Sequence, residues 1–246
     1  MDDNLVMSIQ NVSKKFGNLA VLHDINLEIN ENESISIIGH SGCGKTTLLR
    51  IACAFEKADT GFVFLNGELH ERPSKNVLMI FQSFEQLQPW RTVLGNVMYP
   101  LLASNIIKDK KYAEKRAMKR LEDVGLSEFL DYYPHMLSGG MKQRVAVARA
   151  LALTTRVLVL DEPFASLDDI TRKALQKLTK GVCKKYGISV LLVTHSIEEA
   201  LIMSDRIVVM DRNPGRIKSI IENKSNQSLE ERSKVQSDIL ILLGET

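Results

Sequence analysis

The stretch Ser34-Ile35-Ser36-Ile37-Ile38-Gly39-His40-Ser41-Gly42-Cys43-Gly44-Lys45-Thr46-Thr47-Leu48-Leu49-Arg50-Ile51-Ala52 decides the fold. Ser34–Ile38 reads as a buried strand, and Leu48–Ala52 carries a helical pattern. Between them, Gly39-x-x-x-x-Gly44-Lys45-Thr46 matches the phosphate-loop pattern in full, in the strand–loop–helix context that this motif needs. Glycines let backbone N–H groups turn inward around phosphate oxygens. The helix starting near Lys45 adds the positive end of its dipole. Lys45 brings a point charge to the β- and γ-phosphates, and the Thr46 hydroxyl is a candidate Mg²⁺ ligand. The candidate nucleotide contacts are therefore Gly39, His40, Ser41, Gly42, Cys43, Gly44, Lys45, Thr46 and Thr47. Cys43 reads in two ways: a thiol with its pKa lowered by the helix N-terminus, or a small residue fitted into the loop.

Downstream, Val157-Leu158-Val159-Leu160 runs into Asp161-Glu162-Pro163. A buried parallel strand of this kind delivers both acids to the carboxyl edge of its sheet, where ligands bind in such folds. Asp161 is the candidate Mg²⁺ carboxylate. Glu162, next along, points differently and is the candidate general base for an attacking water.

Composition bounds what this site can belong to. The chain has 246 residues, 44% hydrophobic and 25% charged, as soluble globular domains do. That excludes a disordered or fibrous chain and suits one large α/β domain or two small ones. Lys plus Arg is 32 and Asp plus Glu is 30, a net charge of +2, which gives no argument for nucleic acid. Cys43, Cys53 and Cys183 have neither disulfide-framework nor zinc spacing, which points to a reducing compartment. There is no 18-residue apolar run, and the start, MDDNLVMSIQ, lacks the apolar core of a secretory signal. The expected location is cytoplasmic, with any membrane attachment supplied by a partner.

Outward from the loop, Val6–Val12, Leu27–Ile29 and Phe62–Leu65 read as short strands, with turns at Phe16-Gly17-Asn18 and Asn66-Gly67. From about Thr92 to Leu153 the period becomes helical. Within it, Lys108–Arg120 carries seven basic and two acidic residues, with Ala113, Ala117, Met118 and Leu121 as its apolar positions. It reads as a solvated helix face. Then come helix Ile170–Lys185, strand Ser189–Thr194, helix Ile197–Met203 and strand Arg206–Met210. This alternation argues for a parallel sheet. The last 25 residues are rich in Ser, Glu and Lys until Ile239–Leu243, and read as an appendix ending in a short helix.

Leu137-Ser138-Gly139-Gly140-Met141-Lys142-Gln143-Arg144 makes the reading specific. With it the chain resembles the ATP-binding-cassette family, in which LSGGQ-like signatures mark the nucleotide-binding subunits. Met141 stands where Gln is commonest. The resemblance covers about residues 5–220. It implies an α/β fold: a P-loop NTPase (RecA-like) core with a parallel sheet, an antiparallel β subdomain and an inserted α-helical signature subdomain. The implied boundaries are 1–222 for the ATPase domain, with its helical subdomain at about 86–154, and 223–246 for a C-terminal tail. Ser138 and the amides of Gly139 and Gly140, at a helix N-terminus, form a second anion site. One nucleotide in one subunit has no use for both sites. A head-to-tail homodimer solves this by placing each ATP between Lys45 of one chain and Ser138 of the other.

The same resemblance assigns further roles. Phe16 stands where an aromatic, usually Tyr, stacks on adenine. Gln82, after strand Val77–Phe81, matches the residue that senses Mg²⁺ or water and links to the membrane partner. His195 matches the switch histidine that contacts the γ-phosphate. Asp168 matches the loop that bridges the two subunits. Ser196 stands where an acid is common and takes no reading from sequence.

Two classes of function compete: the ATPase subunit of a membrane transporter, and a soluble cassette ATPase acting on nucleic acid or ribosomes. The second class usually carries two cassettes, a coiled-coil arm or zinc cysteines, and none occurs here. A GTPase would need an N-K-x-D motif, which is absent. Pro89-Trp90-Arg91-Thr92-Val93, Asn96-Val97 and Asp211-Arg212-Asn213-Pro214-Gly215-Arg216-Ile217 resemble the importer branch serving nitrate, sulfonate and taurine. Gln88 departs from its usual Leu or Phe. Trp90 reads either as an exposed docking aromatic or as a side chain packed within the helical segment. Implied partners are a second copy of the chain, transmembrane permease subunits and, indirectly, an extracytoplasmic solute-binding protein. The solute itself is not encoded here.

Overall fold

The computed structural model describes residues 4–81, 86–104, 106–223 and 228–244. Two sheets frame it. The phosphate-loop strand is β3 (Ser34–Gly39), buried at every residue. It lies within a six-stranded sheet whose other members are β6 (Val77–Ile80), β7 (Val157–Asp161), β8 (Ser189–Val193), β9 (Arg206–Asp211) and β10 (Arg216–Glu222). The order across is β10-β9-β3-β8-β7-β6, parallel throughout except for the antiparallel edge strand β10. The second sheet is antiparallel, in the order β2-β1-β4-β5. It contains β1 (Leu5–Phe16), β2 (Leu19–Asn30), β4 (Thr60–Leu65) and β5 (Glu68–Leu69).

The period-two alternation of the parallel strands explains why they are apolar throughout. Ile35, Ile37, Val157, Val159, Leu191, Val193 and Val208 face one way, onto the antiparallel sheet and α1 (Lys45–Ala52). Leu158, Leu160, Val190 and Leu192 face the other way, onto the helical layer. That layer holds α2 (Val93–Ala103), α3 (Lys110–Asp123), α4 (Gly139–Leu153) and α5 (Asp169–Lys185). A third apolar cluster joins Ile38, Ile207 and Val209 to α6 (Ile197–Met203) and α7 (Leu229–Leu243), through Ala200 and Ile239.

Both expected turns close hairpins. At the β4–β5 turn, Asn66 (φ 50°) and Gly67 (φ 79°) both take the left-handed conformation that a two-residue hairpin favours. Three expectations need correction. Strands β1 and β2 run for 12 residues each, because register shifts between Ile9 and Val12 and beyond absorb polar residues that break the alternation. Met118 is 43% exposed, whereas Ala113, Ala117 and Leu121 are buried. One residue beyond Ala117 is a 100° rotation, enough to take Met118 off the inner face. The helix in the last 25 residues is longer than the short one expected: α7 is 15 residues long and begins in the polar run. Its start is fixed by a reciprocal cap between Ser228 and Glu231, a spacing hidden within a Ser- and Glu-rich run.

Candidate functional site

The carboxyl ends of β3, β7 and β8 meet at one cleft of about 330 Å³, lined by Val21, Ser41, Gly42, Gly44, Lys45, Thr46, Thr47, Glu162 and His195. β3 ends at Gly39, and the chain turns through residues 40–44 into α1. Gly44 occupies the N-cap of α1 with φ 95°, a conformation that a side chain would strain. No side chain caps this helix, so its first-turn amides are left for another acceptor. Lys45 is buried, and its Nζ donates to the carbonyls of Gly39 (2.6 Å) and His40 (3.0 Å).

Thr46 Oγ1 donates to Asp161 Oδ1 at 3.2 Å, joining the loop to the end of β7. Burial raises the Asp161 carboxyl above its ordinary value; Thr46 opposes this, Glu162 adds to it, and Lys45 and Arg50 oppose it. A partly buried carboxylate beside a hydroxyl is a hard-oxygen pair of the kind Mg²⁺ takes, with phosphate and water completing the shell. Among the described residues no cluster of three or more His, Cys, Asp or Glu could hold a metal alone. Glu162 has φ 46°, unusual for a residue with a side chain and worth about 1–3 kcal/mol of local strain. Its N–H donates to the Val193 carbonyl (3.0 Å), and its carboxylate pairs with His195 Nε2. The turn therefore aims both side chains from adjacent strand ends at the same point.

Other sequence candidates lie elsewhere. Cys43 is buried, its Sγ 3.9 Å from Lys45 Nζ, and burial pushes the thiol up rather than down, with Lys45 only opposing. This favours the small fitted residue over the reactive thiol. The half-buried His40 directs Nε2 to the Leu243 carbonyl (2.7 Å) at the end of α7. Phe16 ends β1 half-exposed, with Lys14 Nζ 5.1 Å from its ring centre. Ser138, Gly139 and Gly140 open α4 and do not line the cleft; Ser138 Oγ accepts the Met141 N–H at 3.3 Å. Asp168 caps α5 through the Thr171 N–H, and Ser196 caps α6 through the Glu199 N–H, which gives Ser196 a physical role. Gln82 lies outside the described residues. Trp90 is 71% exposed, so it does not pack within the helical layer.

Two participants escaped the sequence reading. Gly215, in the β9–β10 turn, lies against the phosphate loop: a Cβ there would sit 2.0 Å from the Cys43 carbonyl oxygen. Its N–H donates to the Val21 carbonyl (2.9 Å). Glu199 is buried behind His195. The spacing Ser196-x-x-Glu199 is a helix-start signature and was the one available signal.

A phosphate loop with its lysine, an acid pair two strands over and a histidine on the strand between define a P-loop nucleoside triphosphatase. Within that class the profile described as ABC transporter matches residues 22–165, and the chain belongs to the ABC transporter family as an ATP-hydrolysing cassette. The aliphatic sulfonates import ATP-binding protein SsuB of Bacillus thuringiensis subsp. konkukian is 39% identical over 94% of this chain and 94% of its own length. The bicarbonate transport ATP-binding protein CmpC of Synechocystis is 41% identical over 86% of this chain, which spans only 32% of that longer protein. Among solved structures, the dimeric ATP-binding cassette MJ0796 in a post-hydrolysis state with ADP and Pi is 31% identical. Its TM-score is 0.77, and the match covers 89% of this chain and 99% of that one.

Proposed function

We propose that this chain powers an importer for a small solute of the nitrate, sulfonate or taurine type. In this reading it works as a pair of identical copies, docked on permease subunits at the cytoplasmic face of the membrane. An extracytoplasmic solute-binding protein delivers the solute, and nucleic acid has no part. Residues 1–222 act as the ATPase domain, with a helical subdomain at about 86–154, and 223–246 as a tail. The names of the sulfonate and bicarbonate relatives support the solute class, since both solutes are small anions. Among the described residues no helix is long and apolar enough to cross a membrane, which fits attachment through a partner. The exposed indole of Trp90 is the proposed docking aromatic.

The observation that carries this reading is the convergence of Lys45, Thr46, Glu162 and His195 on one cleft while Ser138 stands outside it. The reaction is ATP + H₂O → ADP + phosphate, by in-line attack on the γ-phosphorus. Loop amides of residues 39–47 and Lys45 hold the β- and γ-phosphates, and Phe16 stacks on adenine. Thr46 and Asp161 would hold Mg²⁺, joined by Gln82, and the ion would supply charge neutralisation at the phosphate oxygens. Glu162 takes a proton from the attacking water, an effect of ~10²–10⁴ in rate. His195 and, from the second copy, Ser138 with the Gly139 and Gly140 amides meet the γ-phosphate. ATP closes the pair because its γ-phosphate touches both copies, and hydrolysis removes that bridge.

The decisive experiment is Glu162→Gln, saturated with Mg-ATP and sized by light scattering, alone and with the permease. The expected result is a stable ATP-loaded dimer with turnover down ~10²-fold or more. A strictly monomeric variant in both settings, or one with near-normal hydrolysis, overturns the reading.

A further inference from the structure

Glu199 is a buried carboxylate that the chemistry above does not use. It sits in the first turn of α6, 5% exposed, where an apolar residue would avoid the cost of desolvating a charge. Its bonds close a ring around one residue. The Thr194 hydroxyl donates to Glu199 Oε2 at 2.5 Å. The Ser196 N–H donates to that same hydroxyl at 3.0 Å. The Glu199 N–H donates to Ser196 Oγ at 3.2 Å. His195 is the residue between Thr194 and Ser196, and its Nε2 reaches Glu162.

We propose that Glu199 is a positioning residue for His195, fixing the loop from Thr194 to Ser196 so that the imidazole stays aimed into the cleft. Thr194 is itself 2% exposed, so its hydroxyl has no water to turn to if the carboxylate is lost. The second oxygen, Oε1, is buried without a partner, as are Gln176 Oε1 and Thr179 Oγ1, which lie one turn apart on α5. The carboxylate is therefore held by Thr194 and not by a full polar shell. The groups acting on it are Arg172 and Gln176 from α5, Thr194 from the end of β8 and Glu162 from the end of β7. Burial pushes Glu199 up to about 7; Thr194, Arg172 and Gln176 oppose this and Glu162 adds to it. Either protonation state of the carboxyl can accept from Thr194. A glutamine can accept in the same way.

This inference rests on the reading of His195 as the group that meets the γ-phosphate, and the test separates the two. Turnover and KM for Mg-ATP are measured on the full chain carrying Glu199→Leu, Glu199→Gln, Thr194→Val or His195→Ala, with Tm for each. The expected result is a kcat about tenfold lower for Glu199→Leu with KM unchanged, and recovery to within about threefold for Glu199→Gln. Thr194→Val, which keeps the volume and removes the hydroxyl, should match Glu199→Leu and carries the test if the leucine variant does not fold. The proposal is overturned if His195→Ala abolishes turnover while Glu199→Leu and Thr194→Val stay within twofold of the parent. It is also overturned if the Leu and Gln variants lose kcat equally, in step with Tm. Intact turnover in His195→Ala removes the underlying reading and this proposal together.

Discussion

The N-termini of α1 and α4 both open on glycines, yet they are built differently. Thr92, Asp109, Ser138, Asp168, Ser196 and Ser228 each cap their own helix with a side-chain oxygen. α1 has Gly44 at that position and no such cap. A side-chain cap satisfies one of the orphan amides; a glycine in the left-handed conformation leaves them all for a ligand. The α1 terminus also opens into a cleft, with Lys45, Thr46, Glu162 and His195 around it. At α4 the Ser138 hydroxyl is exposed and already serves Met141. In the proposed complex one terminus holds phosphate within its own chain, and the other meets the phosphate held by the second copy.

Lys45→Ala is the strongest way to break this distinction. The Lys45 Nζ is buried against the loop carbonyls, and in the proposed complex its charge turns to the phosphates. Losing a charge-assisted contact of about 1.5–3 kcal/mol should weaken ATP binding about 10- to 100-fold in the monomer. Calorimetry on the single chain reads this directly. An unchanged affinity would mean that the α1 terminus is no more complete than the α4 terminus.

The α1 site was legible because its chemistry is local. Strand, loop and helix follow one another from Ser34 to Ala52, so spacing alone placed Lys45 and Thr46. Asp161 and Glu162 were legible for a similar reason: a strand of four apolar residues can deliver acids only to its own end. The Glu162–His195 pair rests on β7 and β8 being neighbours, a fact of sheet order that alternation of strands and helices does not specify. Gly215 was invisible in its role, because its constraint is the Cys43 backbone 172 positions away in sequence, brought close only by the β9–β10 turn. The helix at Ile239–Leu243 was legible, but the full length of α7 was missed, because Val235 is the one apolar side chain in the polar run Glu230–Asp238 ahead of Ile239.

Ser138 offers a sharper and smaller effect. Ser138→Asp preserves an N-cap acceptor for the Met141 N–H, so Tm should hold. In the proposed dimer it also sets a negative charge against the triphosphate of the partner copy. ATP affinity of the isolated monomer should stay within about twofold, while ATP-driven dimerisation of the Glu162→Gln background falls about tenfold or more. Sedimentation at several ATP concentrations measures both. Equal loss of monomer binding would place Ser138 in its own chain's cleft and erase the contrast.

The smallest effect concerns the support beneath α4. The side chain of Asp123, at the end of α3, is 4% exposed and holds Lys185 (2.8 Å) and the Tyr186 hydroxyl (2.6 Å) at the end of α5, together with Arg120 (3.1 Å). Burial alone would raise this carboxyl, but Lys185, Tyr186 and Arg120 outweigh it and hold it below the usual carboxylate range. The stability it contributes is fully present above the ordinary value near 4 and is lost as pH falls through the lower folded value. Asp123→Asn should therefore lower Tm at pH 7 by several degrees, at about 2–4 °C per kcal/mol for a chain of this size. The difference from the parent should shrink as pH drops below about 4. Catalysis in the cleft should be untouched, because the clamp ties α3 to α5 far from β3 and α1 in the layer order. A Tm gap that persists undiminished at pH 2–3 would show that packing, and not the charge, is what Asp123 provides.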